Sequence, residues 1–268
     1  MERCGILLGS FDPLQEVASK TLYVLRFGAV EIPFTNHMLM VSLSALLLMV
    51  VLPLAIFRVR VVPRGFYNLI ETICVFLRDD VARPFLKDRT DRYIGVLWSL
   101  FFFILTLNLM GIVPLDKFVW LVTGIEHNHI GGAATGNIWV TGALASFAFV
   151  LFHLAGIRQK GLGKYLATLS PKVPWPLMPF MFAMELLSSF VRLFSLAIRL
   201  FANILAGHIL LGVLLGFIVM FKTFMVAGAS IVGTTLMSLL EIFVAFLQAY
   251  IFTFLTTIFI GFAISEDH

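Results

Sequence analysis

Five side chains that are costly in lipid lie inside one apolar run, residues 180–220: Glu185, Arg192, Arg199, Asn203 and His208. An ionisable group at bilayer depth costs about 3 kcal/mol on insertion scales, so each one raises a functional question. Their spacing is ordered. At about 100° per residue, Glu185, Ser188, Arg192, Ser195, Arg199 and Asn203 follow steps of three and four and share one helical stripe. His208 lies nine residues past Arg199, about half a turn away, on the opposite face. One helix would therefore offer two arginines to one partner and a histidine to another.

The last apolar run carries a second seam. Glu241 and Gln248 are seven residues apart and share a face with Ser238 and Thr234. His208 and Glu241 can both change protonation, and together they read as a proton relay. Arg199 has two readings. It is either half of an ion pair with Glu241 or Glu185 that locks two helices, or a charge presented to something that moves past it. Arg192 either pairs with Glu185, seven residues before it, or snorkels to an interface. His153 reads as a hydrogen-bonded packing residue. His127 and His129 belong to a loop, on the surface or at an aqueous mouth. The chain holds no phosphate loop, zinc helix, nucleophile elbow or kinase signature. These polar groups suit ion movement, and no catalytic, cofactor or metal site is expected.

The composition says what must position them. Of 268 residues, 60% are hydrophobic and 13% charged, and the mean hydropathy is +1.01. A soluble domain could not bury that much apolar surface, so the chain reads as an integral membrane protein. Long apolar runs, rather than short alternating segments, argue for helices over a barrel. Cys4 and Cys74 have neither metal nor disulfide spacing.

Residues 1–36 form a mixed segment, read as an amphipathic helix followed by the extended EIPFTN. Asp12, Glu16 and Glu31 leave it without the clean apolar centre of a signal peptide. The remainder, 37–268, reads as a single membrane domain. Spans are expected at 37–57, 94–115 and 138–157, with long helices at 180–220 and 223–264. Between the first two, GFYNLIETICVFLRDDVARPFL has apolar residues at helical spacing and charges elsewhere, which suits an interfacial helix. The expected fold is thus all-α, with five transmembrane passes, an interfacial helix and two long, strongly tilted C-terminal helices.

Loop charges orient the passes. Arg58, Arg60, Arg64, Arg78, Arg83, Lys87, Arg89 and Arg92 follow the first span, and Arg158, Lys160, Lys164 and Lys172 the third. The other connections carry only Lys117 and Lys222, so the basic loops face the cytoplasm and the N-terminus lies outside. The last two runs exceed 40 residues, about 60 Å of helix against a core of about 30 Å. Each is either a hairpin or one tilted helix. No polar turn interrupts either run, which favours the tilted helix.

SLAIRLFANILAGHILL and LEIFVAFLQAYIFTFL, with the NLMGIVP end of the second span, resemble the subunit a family of F-type ATP synthases. The resemblance covers nearly the whole chain. It implies that Arg199 is the essential arginine facing the acidic groups of a rotating c-ring, with Asn203 and Gln248 beside it and Glu185 the acid upstream. It also implies that His208 and Glu241 line one aqueous half-channel, in the histidine-then-glutamate order of the mitochondrial type, which several bacteria share. Asn36 stands where some relatives carry an acid. The implied partners are the c-ring, the peripheral-stalk b subunits and the lipid bilayer, with no nucleic acid and no cofactor. The implied setting is the bacterial inner membrane, or alternatively the mitochondrial one, with H+ rather than Na+ as coupling ion. Two other classes stand beside this reading. A secondary transporter should show inverted repeats, and none is visible. A structural scaffold leaves two titratable seams unexplained.

Overall fold

The computed structural model describes residues 21–27, 30–56, 65–113, 115, 131–168 and 175–265. In chain order come strands β1 (Thr21–Phe27) and β2 (Val30–Thr35). Helices α1 (Asn36–Ile56), α2 (Phe66–Phe76), α3 (Arg83–Leu86), α4 (Thr90–Ile112) and α5 (Ile138–Lys160) follow. Then come α6 (Leu162–Thr168), α7 (Met178–Phe221) and α8 (Phe224–Ile264). Five helical stretches are long and apolar enough to cross a membrane: 36–54, 66–112, 138–160, 178–221 and 224–264. The chain is a helical, multi-pass membrane protein. The expected spans lie within a few residues of α1, α4, α5, α7 and α8, while the second stretch, 66–112, also takes in the segment expected as an interfacial helix. The largest offset is at α4, whose first turn is the polar Thr90, Asp91 and Arg92 and so escapes a reading based on apolar residues.

EIPFT is extended, as expected, and forms most of β2, while the final Asn36 opens α1. Residues 21–27, which belonged to the expected amphipathic helix, instead form an antiparallel partner strand, with Tyr23 opposite Phe34 and Leu25 opposite Ile32. TLYVLRF is rich in β-branched and aromatic residues, which suit a strand better than a helix. The rest of that expectation, residues 1–20, lies outside the described residues, as do His127 and His129.

The expected interfacial segment is helical in pieces. α2 passes through a π-helical turn, Leu77–Ala82, into α3. The backbone at Lys87 then turns left-handed (φ 49°), and the chain re-enters helix at Thr90. The Thr90 hydroxyl donates to the Lys87 carbonyl at 2.7 Å and fixes that corner. Phe66, Leu69 and Val75 of α2 are exposed, an apolar surface that lipid would cover.

α7 has 44 residues and α8 has 41, each an unbroken helix. The hairpin alternative is therefore excluded. At 1.5 Å per residue each is about 60 Å or more, twice an apolar core of about 30 Å. They are joined through Lys222, which is also left-handed (φ 49°) and donates its N–H to the Ile218 carbonyl at 3.2 Å.

The chain divides into two compact units. The first comprises Met1–Leu47, Leu105–Val140 and Arg199–Gln248. In it, α7 and α8 lie antiparallel, with Gly233 against Leu214 and Gly207 against Glu241. Asn36 Nδ2 donates to the Gly131 carbonyl at 3.1 Å. Asn137 Oδ1 accepts the Trp139 N–H at 2.9 Å and caps α5. The second unit comprises Leu48–Ile104, Thr141–Ile198 and Ala249–His268. Leu86, Ile94, Leu97, Phe152, Ala155 and Ile260 form the centre of its core. Lipid is as apolar as leucine, so the gain here is close packing rather than escape from water. Gly261 shows how close it is: a Cβ there would sit 3.1 Å from the Phe85 carbonyl oxygen. Arg89 Nη1 donates to the Ile264 carbonyl at 3.2 Å and caps the end of α8.

Candidate functional site

The α7 stripe divides by its partners. Arg192 Nη2 donates to Glu185 Oε1 at 3.0 Å and to the Ser188 hydroxyl at 3.1 Å. Its guanidinium also lies 5.4 Å from the Phe259 ring centre. Of the two readings of Arg192, the pair with Glu185 is the one observed. Both side chains are partly exposed, 30% and 42%, so the pair has a modest stabilising effect.

Arg199, two turns further along α7, differs. It is exposed, as are Ser195 before it and Asn203 after it. Among the described residues it makes no hydrogen bond or ion pair. The brace with Glu185 or Glu241 is absent: Glu185 is taken by Arg192, and Glu241 faces elsewhere. A guanidinium stays charged at any physiological pH. Here it projects from an apolar helix with no counter-charge from the described chain.

Glu241 is only 8% exposed. Its carboxylate packs against Gly207, where a Cβ would collide with Oε1 and sit 3.1 Å from Cδ. The absence of a side chain at position 207 is what lets the acid reach the α7 backbone, beside His208. Glu241 Oε2 has no hydrogen-bond partner among the described residues. Gln248, two turns on, is also buried. Arg199, Asn203, His208, Glu241 and Gln248 all belong to the first unit, and Glu185 to the second.

Sequence reasoning passed over Asn108. It is fully buried in α4, and its Nδ2 donates to the Ala245 carbonyl at 3.4 Å, midway between Glu241 and Gln248 in α8. The signal was available as a lone amide inside the apolar NLMGIVP run. Asn36 and His37, at the start of α1, and Thr135 are buried in the same unit. Asn108 Oδ1, Thr135 Oγ1, Thr234 Oγ1 and Glu241 Oε2 are all buried without partners among the described residues. Such groups are normally satisfied by ordered water. No three metal-ligating side chains come together among the described residues.

A helical membrane protein with a bare arginine on one long helix and a buried acid on the next is the class that the fold and these residues define. Comparison with known proteins gives the family. The ATP synthase A chain family model matches residues 38–261. ATP synthase subunit a of Myxococcus xanthus (strain DK1622) is 42% identical over 246 residues, covering 90% of this chain and 76% of that protein. Its counterpart in Anaeromyxobacter dehalogenans (strain 2CP-C) is 40% identical over 251 residues, 91% of this chain and 62% of the relative. That of Chloroherpeton thalassium (strain ATCC 35110 / GB-78) is 37% identical over 254 residues, covering 91% and 71%. The chain belongs to the ATP synthase A chain family, and it spans less than two thirds of the length of the Anaeromyxobacter relative.

Proposed function

We propose that this chain is the membrane stator subunit of a rotary F-type ATP synthase. It carries protons through two offset half-channels against a ring of c subunits, with Arg199 as the essential arginine that keeps the half-channels apart. The observation that carries this reading is Arg199, exposed in the middle of an apolar helix and without a partner among the described residues. A bare charge in that setting calls for an acidic partner from outside the chain. A c-ring carboxylate that arrives, loses its proton and leaves again meets that need, and a permanent brace within the subunit does not.

The chemistry follows from charge. Arg199 cannot give up its proton, so it favours an ionised carboxylate in front of it and repels a proton trying to pass directly. A rotor carboxylate must therefore discharge on one side of Arg199 and reload on the other. Each proton moving down 100 mV releases about 2.3 kcal/mol, which successive steps add together. Glu241 and His208 serve one half-channel, away from the cytoplasm, with Asn108 and Gln248 as fixed polar groups along it. Glu185 belongs to the other. Glu241 and His208 are both side chains that can change protonation, which supports H+ as the coupling ion.

Residues 37–268 serve as a single membrane domain. The α2 segment lies at the interface. The b subunits of the peripheral stalk hold the assembly against rotation, and the bacterial relatives favour a bacterial inner membrane. The test is disulfide mapping in the assembled complex after Cys4 and Cys74 are changed to serine. Asn203→Cys, on the exposed stripe, should crosslink to a cysteine on the outer helix of the c-ring, and Gln248→Cys, which is buried, should not. If Asn203→Cys never reaches the ring, the stator reading fails.

A further inference from the structure

The second unit holds a polar cluster of its own. His153 Nδ1 is 2.6 Å from the Tyr165 hydroxyl. His153 stands in the last turns of α5, and Tyr165 on the short helix α6. Although α6 lies beyond the apolar helix and Lys164 beside it is exposed, Tyr165 is only 8% exposed. Its ring packs against Gly156, where a Cβ would collide with it. The fold thus spends a glycine to bring this hydroxyl to the histidine. Aromatic contacts continue the cluster: His153 packs on Phe152 and Phe152 on Phe259, over which Arg192 of the Glu185 pair lies. Burial holds the Tyr165 phenol above its ordinary pKa, the Glu185 charge adding to this and Arg192 opposing it. The hydroxyl therefore keeps its proton at physiological pH.

We propose that His153 and Tyr165 are a proton-handling pair that links the Glu185–Arg192 seam to water on the basic-loop side, extending the second half-channel. The inference rests on the stator reading above. His153 Nε2 is buried with no partner among the described residues, so it is the nitrogen open to an incoming proton. With Nδ1–H donating to the Tyr165 oxygen, a proton arriving at Nε2 gives the imidazolium. The Nδ1 proton then passes to the tyrosine oxygen as the tyrosine proton passes to water. The pair ends neutral, with the imidazole in its other tautomer, and rotation of the ring or reverse hops reset it. The charged and titratable groups around His153 are Glu185 and Arg192 from α7 and Tyr165 from α6. Tyr93 of α4 stands in the adjoining core, and α8 contributes the uncharged Phe259, which packs on Phe152.

The experiment measures passive proton conduction through the complete membrane sector in sealed vesicles, from pH 4 to 8 in steps of one, spanning the ordinary imidazole pKa of about 6.5 and the range below it. Tyr165→Phe keeps the ring and removes only the hydroxyl. It should assemble normally, conduct protons several-fold more slowly, and lose the imidazole-range pH dependence of the wild type. His153→Gln should do the same, and the double variant should be no slower than either single one. Normal conduction with an unchanged pH profile in Tyr165→Phe would overturn the proposal. A loss of assembly, or a uniform slowing with the pH profile intact, would also overturn it, because the hydroxyl would then be a structural strut. Glu241→Gln in the same vesicles separates the two readings: if it also conducts normally, the stator reading itself has failed.

Discussion

The carboxylate of Glu241 packs against the bare backbone at Gly207. A methyl group at position 207 would meet Oε1 first. That atom is the far end of a flexible side chain, so the acid can swing away without displacing either helix. Gly207→Ala should therefore assemble with near-normal stability and conduct protons markedly more slowly, as measured by ATP-driven acidification of inverted vesicles. Near-normal conduction would mean that the acid works without touching α7. Glu241→Gln, which keeps the shape and removes the titration, should slow the flux strongly, and adding His208→Glu should restore part of it. The charges at this scale were legible in the sequence. Ionisable residues stand out in apolar runs, and the steps from Glu185 through Ser188 to Arg192 placed that trio on one face, where it is found bonded. Gly207 and Gly156 were not legible, because a glycine's contribution is the space it leaves, and that depends on which side chain another helix brings.

The helices position these groups through close approach, and small residues at the contacts set the distance. Gly261 of α8 tests this. A Cβ there would sit 3.1 Å from the Phe85 carbonyl oxygen and 3.2 Å from its Cβ, and backbone cannot turn aside as a side chain can. Gly261→Ala should cost about 1–3 kcal/mol, the usual range for overpacking. It should appear as a lower thermal midpoint of the purified membrane sector, and an unchanged midpoint would show that the helices part easily. Most elements were legible because uninterrupted apolar runs of the right length leave few alternatives. α7 and α8 were distinguished from hairpins by the lack of a polar turn. The left-handed corners at Lys87 and Lys222 were not, because that conformation is normally signalled by glycine or asparagine. The β1–β2 pairing was missed for a related reason: a short strand shows its pattern fully only beside its partner.

For the whole molecule, the twelve basic residues in two loops predict a topology with the N-terminus outside and five passes. Cysteines placed at Lys160 and Lys222 should react with an impermeant reagent from opposite sides of sealed vesicles. Labelling of both from the same side would remove this topology, and with it the assignment of the Glu241 path to the outer side.

The central claim is that Arg199 acts on a partner that moves past it, rather than holding the subunit together. A buried pair that loses one member is destabilised by about 3–5 kcal/mol, so a brace residue changed to alanine should prevent assembly. An exposed arginine without a partner within the described chain carries no such cost. Arg199→Lys retains a charge but loses the planar fork and the reach, and should still fail to couple. The most direct measurement is made on the Arg199→Ala complex in vesicles: its subunit content, its proton permeability and its ATP synthesis under an imposed proton gradient. The account predicts a fully assembled complex with no coupled synthesis and a passive proton leak. A tight complex that synthesises ATP at the normal rate would contradict it, and so would one that does not assemble.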